Sequence, residues 1–215
     1  MTAYIQSLET PESAICGRLR EEARKDRVPI IRVETASLLR LLVQMTRPMR
    51  ILEVGTAIGY SAILMSECMP REAHITTIEK YEPRIPVARE NIRLAGKESC
   101  IELIEGDALE VLKSLEGPYD LIFMDAAKGQ YIHFLPELMR LLPVGGVLIS
   151  DNVLQDGDVM ESRYAVTRRN RTIHSRMREY LYALKHDARL QTAVLSVGDG
   201  ITISYRLETD AAEKE

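Results

Sequence analysis

Two apolar runs of this chain end on acids, Phe123-Met124-Asp125 and Ile149-Ser150-Asp151-Asn152. If the runs are neighbouring strands of one sheet, Asp125, Asp151 and Asn152 meet over one crevice. Two carboxylates and an amide oxygen make a hard donor set with no soft ligand. Such a set suits Mg²⁺, Mn²⁺ or Ca²⁺ rather than zinc. Mg²⁺ keeps several of its waters, which leaves positions for substrate oxygens. The plainer alternative is that Asp125 caps a helix and Asp151-Asn152 caps a loop. Lys128 stands three residues after Asp125 in DAAKGQY and is a candidate base. It must lose its proton near neutral pH, which partial burial and a nearby divalent cation both favour. The alternative is an exposed lysine, the usual state of that residue.

A second chemistry is written in Arg50–Ser61, RILEVGTAIGYS: a strand, a turn of small residues and a helix start. Gly55 and Gly59 permit close backbone approach by a ligand. The dinucleotide fingerprint GxGxxG and the phosphate loop ending in Gly-Lys-Ser/Thr are both absent. Glu53 precedes the turn, and a carboxylate there repels phosphates but attracts an ammonium or sulfonium group. The next run ends in Thr77-Ile78-Glu79, an acid where folds of this kind hold a ribose diol. The third leads into Gly106-Asp107-Ala108, where a carboxylate can accept from an adenine amino group. For Glu79 and Asp107 the alternative is a helix N-cap.

These residues need a frame. Apolar runs at Ile51–Val54, Ile75–Ile78, Ile101–Ile104, Leu121–Met124 and Val147–Ile149 alternate with helical stretches near 60–69, 84–95, 108–115 and 132–142. That alternation predicts βαβ units, a parallel sheet and helices on both faces. Ahead of it, residues 12–27 and Glu34 to Met45 read as helices, the first ended by Val28-Pro29. A long helix is predicted from Thr167 to Lys185. Gln191–Ser196 and Ile201–Arg206, joined by Val197-Gly198-Asp199-Gly200, read as a hairpin. The expectation is an α/β, doubly wound Rossmann-like sheet of seven strands, five parallel plus a C-terminal antiparallel pair. It forms one domain over 1–215: N-terminal helices over 1–48, a catalytic core over 49–207 and a polar tail over 208–215.

Composition bounds the partners. The chain has 215 residues, 46% hydrophobic and 28% charged, which fits a globular protein rather than a disordered or fibrous one. With 32 acidic and 28 basic residues the net charge is −4, so bulk charge makes no case for nucleic acid. Three scattered cysteines indicate neither a disulfide framework nor zinc. No leader and no membrane-length apolar run is read, and a cytoplasmic location is expected.

Together, EVGTAIGYS, TIEK, GDAL, DAAKGQY and SDNV resemble the class I S-adenosylmethionine-dependent O-methyltransferases. Specifically, they resemble the cation-dependent catechol and caffeoyl-CoA group, over roughly residues 28–206. The resemblance implies S-adenosylmethionine held by Glu53, Gly55, Ser61, Glu79, Asp107, Ala108 and Asp125, with a further contact at Ile31 in the segment before the first strand. It implies a divalent cation on Asp125, Asp151 and Asn152, and Asp125 and Lys128 as catalytic residues. Tyr131 is expected near the cofactor, and a homodimer is expected.

The chain departs from the catechol enzymes in two places. They carry a Glu six residues before a C-terminal Asp-Gly pair; with Asp199-Gly200 as that pair, the position here is Ala193. Arg163, Arg168, Arg169, Arg171, Arg176 and Arg178 lie between Glu161 and Glu179 with no acid among them. A solvated helix face normally mixes signs, and arginine suits phosphate, so these are candidate RNA contacts. VPI, ILEVGTAIGYSAI, DNVL and VGDG make the chain similar to the bacterial tRNA 5-hydroxyuridine methyltransferases, which form 5-methoxyuridine at the wobble position. The tRNA anticodon loop is then the expected partner, and catechols or other vicinal diols are the alternative substrates.

Overall fold

The computed structural model describes residues 2–162 and 164–208. Arg163 and the tail from residue 209 therefore lie outside the described residues. The five apolar runs form β1 (Arg50–Val54), β2 (His74–Glu79), β3 (Ile101–Glu105), β4 (Leu121–Met124) and β5 (Val147–Asp151). They pair in parallel in the order β3-β2-β1-β4-β5. The hairpin strands β6 (Leu190–Leu195) and β7 (Ile201–Arg206) complete the sheet, with β7 antiparallel to both β5 and β6. The seven-stranded sheet read from the sequence is the one observed.

Three helices lead the chain: α1 (Thr2–Ser7), α2 (Ala14–Asp26) and α3 (Val33–Thr46). Then α4 (Tyr60–Ser66), α5 (Ile85–Leu94), α6 (Ala108–Ser114) and α7 (Tyr131–Leu141) follow β1 to β4, and α8 (Arg171–His186) precedes the hairpin. The sequence reading misses α1, which is too short to show a period. It also starts two helices too early. α2 begins where Ser13 caps it, its hydroxyl accepting from the Cys16 amide at 3.2 Å. α8 begins after a turn in which the Asn170 amide donates to the Thr167 carbonyl at 2.9 Å.

Successive residues of a strand face opposite sides of the sheet, and both sides are covered. Ile51, Leu121, Phe123, Val147 and Ile149 pack with the α2 to α5 layer. Leu52, Val54, Ile122, Met124 and Leu148 pack with α7 and α8. Strands buried on both faces read as continuous apolar runs, which is why the sequence showed them so clearly. The order reverses between β1 and β4, and there the carboxyl ends of the strands open a crevice.

Candidate active site

That crevice is a cavity of about 640 Å³. Its lining comes from one strand end after another: Gly55 and Ala57 after β1, Glu79 at the end of β2, Asp107 and Ala108 after β3, Asp125 and Lys128 after β4, and Asn152 after β5. Pro29, Ile30 and Arg32 cover it. Ile31 does not: its side chain is buried in the core and its carbonyl accepts from Arg20 at 3.2 Å. In an extended segment alternate residues face opposite ways, so the neighbours of Ile31 face the cavity.

Glu79 is held by three backbone amides. Oε2 accepts from Ala57 at 2.8 Å, and Oε1 accepts from Lys80 at 3.0 Å and Tyr81 at 2.8 Å. Its carboxylate thus stitches the glycine turn to the tip of β2. Asp107 takes the helix-capping role and also lines the cavity. It caps α6 by accepting from the Leu109 amide at 2.9 Å, and it faces Lys80 Nζ at 3.2 Å on the cavity wall. The amide and the ammonium hold its carboxyl below the usual range.

Gly55 has φ +108°, and a Cβ there would stand 2.3 Å from the Asp125 carbonyl oxygen. The glycine is needed where two strand ends cross, in addition to any approach by a ligand. Beneath the turn, Glu53 is fully buried; Thr77 donates to its Oε2, and Oε1 has no partner among the described residues. Ser61 is buried beside it and is not part of the cavity lining. Burial pushes the Glu53 carboxyl up to about 7, against the pull of the nearby Ser61 and Thr77 hydroxyls.

Asp125 and Asp151 end adjacent strands, as the sequence predicts. Asp125 Oδ1 lies 4.0 Å from Lys128 Nζ. Asp151 is buried and accepts from the Asn152 amide at 2.8 Å. Asn152 turns the chain into the cavity with φ +57°. Burial and the Asp151 charge push Asp125 up to about 7. Burial, partly offset by the Asn152 amide, raises Asp151 to about 6. Among the described residues no group of three His, Cys, Asp or Glu is placed to hold a metal; the donors available are these two carboxylates and the Asn152 amide. Two carboxylates that oppose each other's ionisation beside an amide oxygen fit a hard divalent cation, which relieves their repulsion.

A raised carboxyl holds its proton better in the folded chain than in the unfolded one. Between the ordinary carboxylate range and about 7, set by Glu53 and Asp125, the folded protein binds more protons, so its stability falls as pH rises. In metal-free buffer we expect a lower Tm at pH ~8 than at pH ~5, and Mg²⁺ should narrow the gap. A Tm rising steadily over that range would contradict this assignment.

The arginine run is divided. Arg168 and Arg169 are exposed. Arg171 and Arg176 are half-buried and donate to the carbonyls of Val166 at 3.3 Å and Gly129 at 3.0 Å. Arg178 is exposed and reaches the Val159 carbonyl at 3.4 Å. The reason is helical phase: Arg171 and Arg178 stand three before and four after buried His174, at the border of the inward stripe of α8. Sequence also gives no sign of a latch across the mouth. Arg32 pairs with Asp156 at 2.7 Å and donates to the Gly198 carbonyl at 3.3 Å, while the Leu154 amide donates to the Asp199 carbonyl at 3.0 Å. Tyr131, expected near the cofactor, is fully buried instead, with its hydroxyl on backbone carbonyls of β4 and β5.

A row of polar strand ends surrounds one cavity, and the sequence places the chain in a family. Residues 6–207 match the family described as O-methyltransferase. The chain belongs to that family. It is 34% identical over 181 residues to caffeoyl-CoA O-methyltransferase 2 of Populus trichocarpa, covering 79% of this chain and 72% of that one. It is 38% identical over 128 residues to the catechol O-methyltransferase of Niastella koreensis, covering 57% and 58%. The S-adenosylhomocysteine-bound methyltransferase PaMTH1 of Podospora anserina superimposes with a TM-score of 0.86 at 27% identity, covering 96% of this chain and 94% of that one. The enzyme is thus an S-adenosylmethionine-dependent O-methyltransferase. Among the described residues no helix is long and apolar enough to cross a membrane.

Proposed function

We propose that the enzyme methylates a hydroxyl that has a second oxygen beside it, and that this acceptor is the 5-hydroxyuracil of a tRNA wobble position. The observation that carries the reading is the segment between the cation loop and α8. There Met160 is 70% exposed, Tyr164 is 87% exposed, and Arg168 and Arg169 are exposed beside them. Exposed apolar and aromatic side chains interleaved with arginine suit an unstacked base and its phosphates. Arg163 is assigned to the same patch by sequence alone. Arg171 and Arg178 brace its backbone through the carbonyl bonds described above, and Arg176 ties α8 to the turn after β4 at Gly129.

When bound, S-adenosylmethionine supplies the methyl group and a divalent cation, Mg²⁺ for instance, supplies Lewis-acid lowering of the hydroxyl pKa. Glu79, fixed by its three amides, orients the ribose diol, and Asp107 receives the adenine amino group. Glu53, Ser61 and Gly55 shape the floor under the methionine end, and Ala108 lines the adenine end. Asp125, Asp151 and Asn152 hold the cation. Lys128 takes the proton from the acceptor oxygen. The protein contributes proximity and alignment, and no covalent enzyme intermediate is needed.

The second reading is a catechol or other small vicinal diol, and the names of the two curated relatives favour it. Ala193, on β6 opposite Ile203, offers no carboxylate to a second catechol hydroxyl. Salt separates the two. Methylation of tRNA is expected to fall steeply with ionic strength, and turnover of a neutral diol is not. Replacing both Arg168 and Arg169 by Ala should flatten the logarithmic salt slope for tRNA by about one to two units. Nucleoside mass spectrometry of tRNA from a deletion strain decides the acceptor: loss of 5-methoxyuridine with accumulated 5-hydroxyuridine is the expected result. An unchanged profile, with turnover of a catechol in vitro, would establish the second reading.

A further inference from the structure

Tyr131 opens α7 and is fully buried beneath the strand ends that carry the two carboxylates. Its hydroxyl donates to the Asp151 carbonyl at 3.0 Å and stands 3.3 Å from the Met124 carbonyl. One of these oxygens belongs to Asp151; the other lies one peptide bond before Asp125. The register of β4 and β5 runs only to Met124 opposite Ser150. Past that point β4 and β5 pair no further, while the Asp125 amide continues the ladder to β1, donating to the Val54 carbonyl at 3.0 Å. The phenol therefore bridges two strand ends where their own pairing has stopped. Its ring is held edge-on against Tyr180, centroids 5.5 Å apart and planes at 78°, so the hydroxyl is carried by a rigid, packed group.

We propose that Tyr131 is a positioning residue that sets the spacing of Asp125 and Asp151, and through it the affinity for the divalent cation. This rests on the cation reading above. Groups that orient ligand residues in this way typically govern metal affinity by 10–100-fold. Tyr180 provides the control. Its hydroxyl pairs with Ser150 Oγ at 2.6 Å, one residue earlier on β5. Ser150 and Asp151 point to opposite faces of the sheet, so Tyr180→Phe removes a buried hydroxyl bond without freeing a carbonyl of the strand ends.

The test is calorimetric titration of the full chain with Mn²⁺, and separately with S-adenosylhomocysteine. We expect Tyr131→Phe to weaken Mn²⁺ binding about tenfold or more and to leave S-adenosylhomocysteine binding within about twofold, which also reports an intact fold. Tyr180→Phe should leave Mn²⁺ binding unchanged. If the Phe variant does not fold, Tyr131→Met, a smaller but adaptable apolar side chain without a donor, is read in the same way. Wild-type protein that binds no Mn²⁺ would overturn the cation reading itself. Wild-type binding that Tyr131→Phe matches, or equal losses in the Tyr131 and Tyr180 variants, would overturn this inference alone.

Discussion

Asp125→Ala is expected to lower kcat/KM by about 10³-fold, because it removes Lewis-acid stabilisation worth several kcal/mol at about 1.4 kcal/mol per decade. The position touches three parts of the site. Its backbone presses on Gly55, its carboxylate lies 4.0 Å from Lys128, and its charge is coupled to that of Asp151. The diagnostic is the shape of the loss rather than its size. Wild-type activity should collapse with a chelator and return with Mg²⁺, while residual Asp125→Ala activity should respond to neither. Steady-state assays across a Mg²⁺ titration decide it. A variant that keeps both its rate and its metal response would remove the cation from the mechanism.

The second large effect is on stability. Gly55→Ala places a methyl 2.3 Å from the Asp125 carbonyl oxygen and 2.8 Å from its carbon, at φ +108°, which side-chain-bearing residues avoid. Both contacts are with backbone, so no rotamer change relieves them. Strain of about 1–3 kcal/mol and overpacking of about 1–3 kcal/mol together should lower Tm by roughly 10 °C, at about 2–4 °C per kcal/mol for this size. S-adenosylmethionine binding should be lost with it, since the turn and the β4 end must part. Gly17→Ala is the matched control. That glycine lies inside α2 with nothing within 4 Å of its added Cβ, so alanine should stabilise by about 0.5–1 kcal/mol. Thermal melts of the two variants should therefore move in opposite directions.

The frame was legible because burial on both faces leaves a coarse signal. Ile51–Val54 and Leu121–Met124 are apolar throughout or broken only by a residue at the site, and no helix-like spacing competes with them. Glu79, Asp107, Asp125 and Asp151 were legible for the same reason: a polar residue at the end of such a run sits at a strand tip by construction. The arginines were not, because a count of charges carries no helical phase. Whether Arg171 or Arg176 faces solvent fully depends on where α8 starts, and that turns on one turn at Thr167–Asn170. Gly55 was read for the right property and an incomplete reason, since the atom that excludes a side chain belongs to Asp125, far away in sequence. Tyr131 lies beneath the strand ends rather than at the cavity, because its hydroxyl bonds to carbonyls, and backbone acceptors leave no trace in residue identity.

The latch over the mouth bears on the order in which the enzyme becomes competent. Arg32 reaches Asp156 across 124 residues and Gly198 across 166. The strand ends assigned to the adenosine, β1 to β3, are all made before residue 110. The acceptor side needs β5, the loop after Asn152 and the Asp199-Gly200 turn that holds it. A chain leaving the ribosome from its N-terminus therefore cannot close the half of the cavity that receives an acceptor until its last hairpin is made. Methyl transfer therefore awaits the last residues of the fold, although most of the cavity wall is laid down long before them.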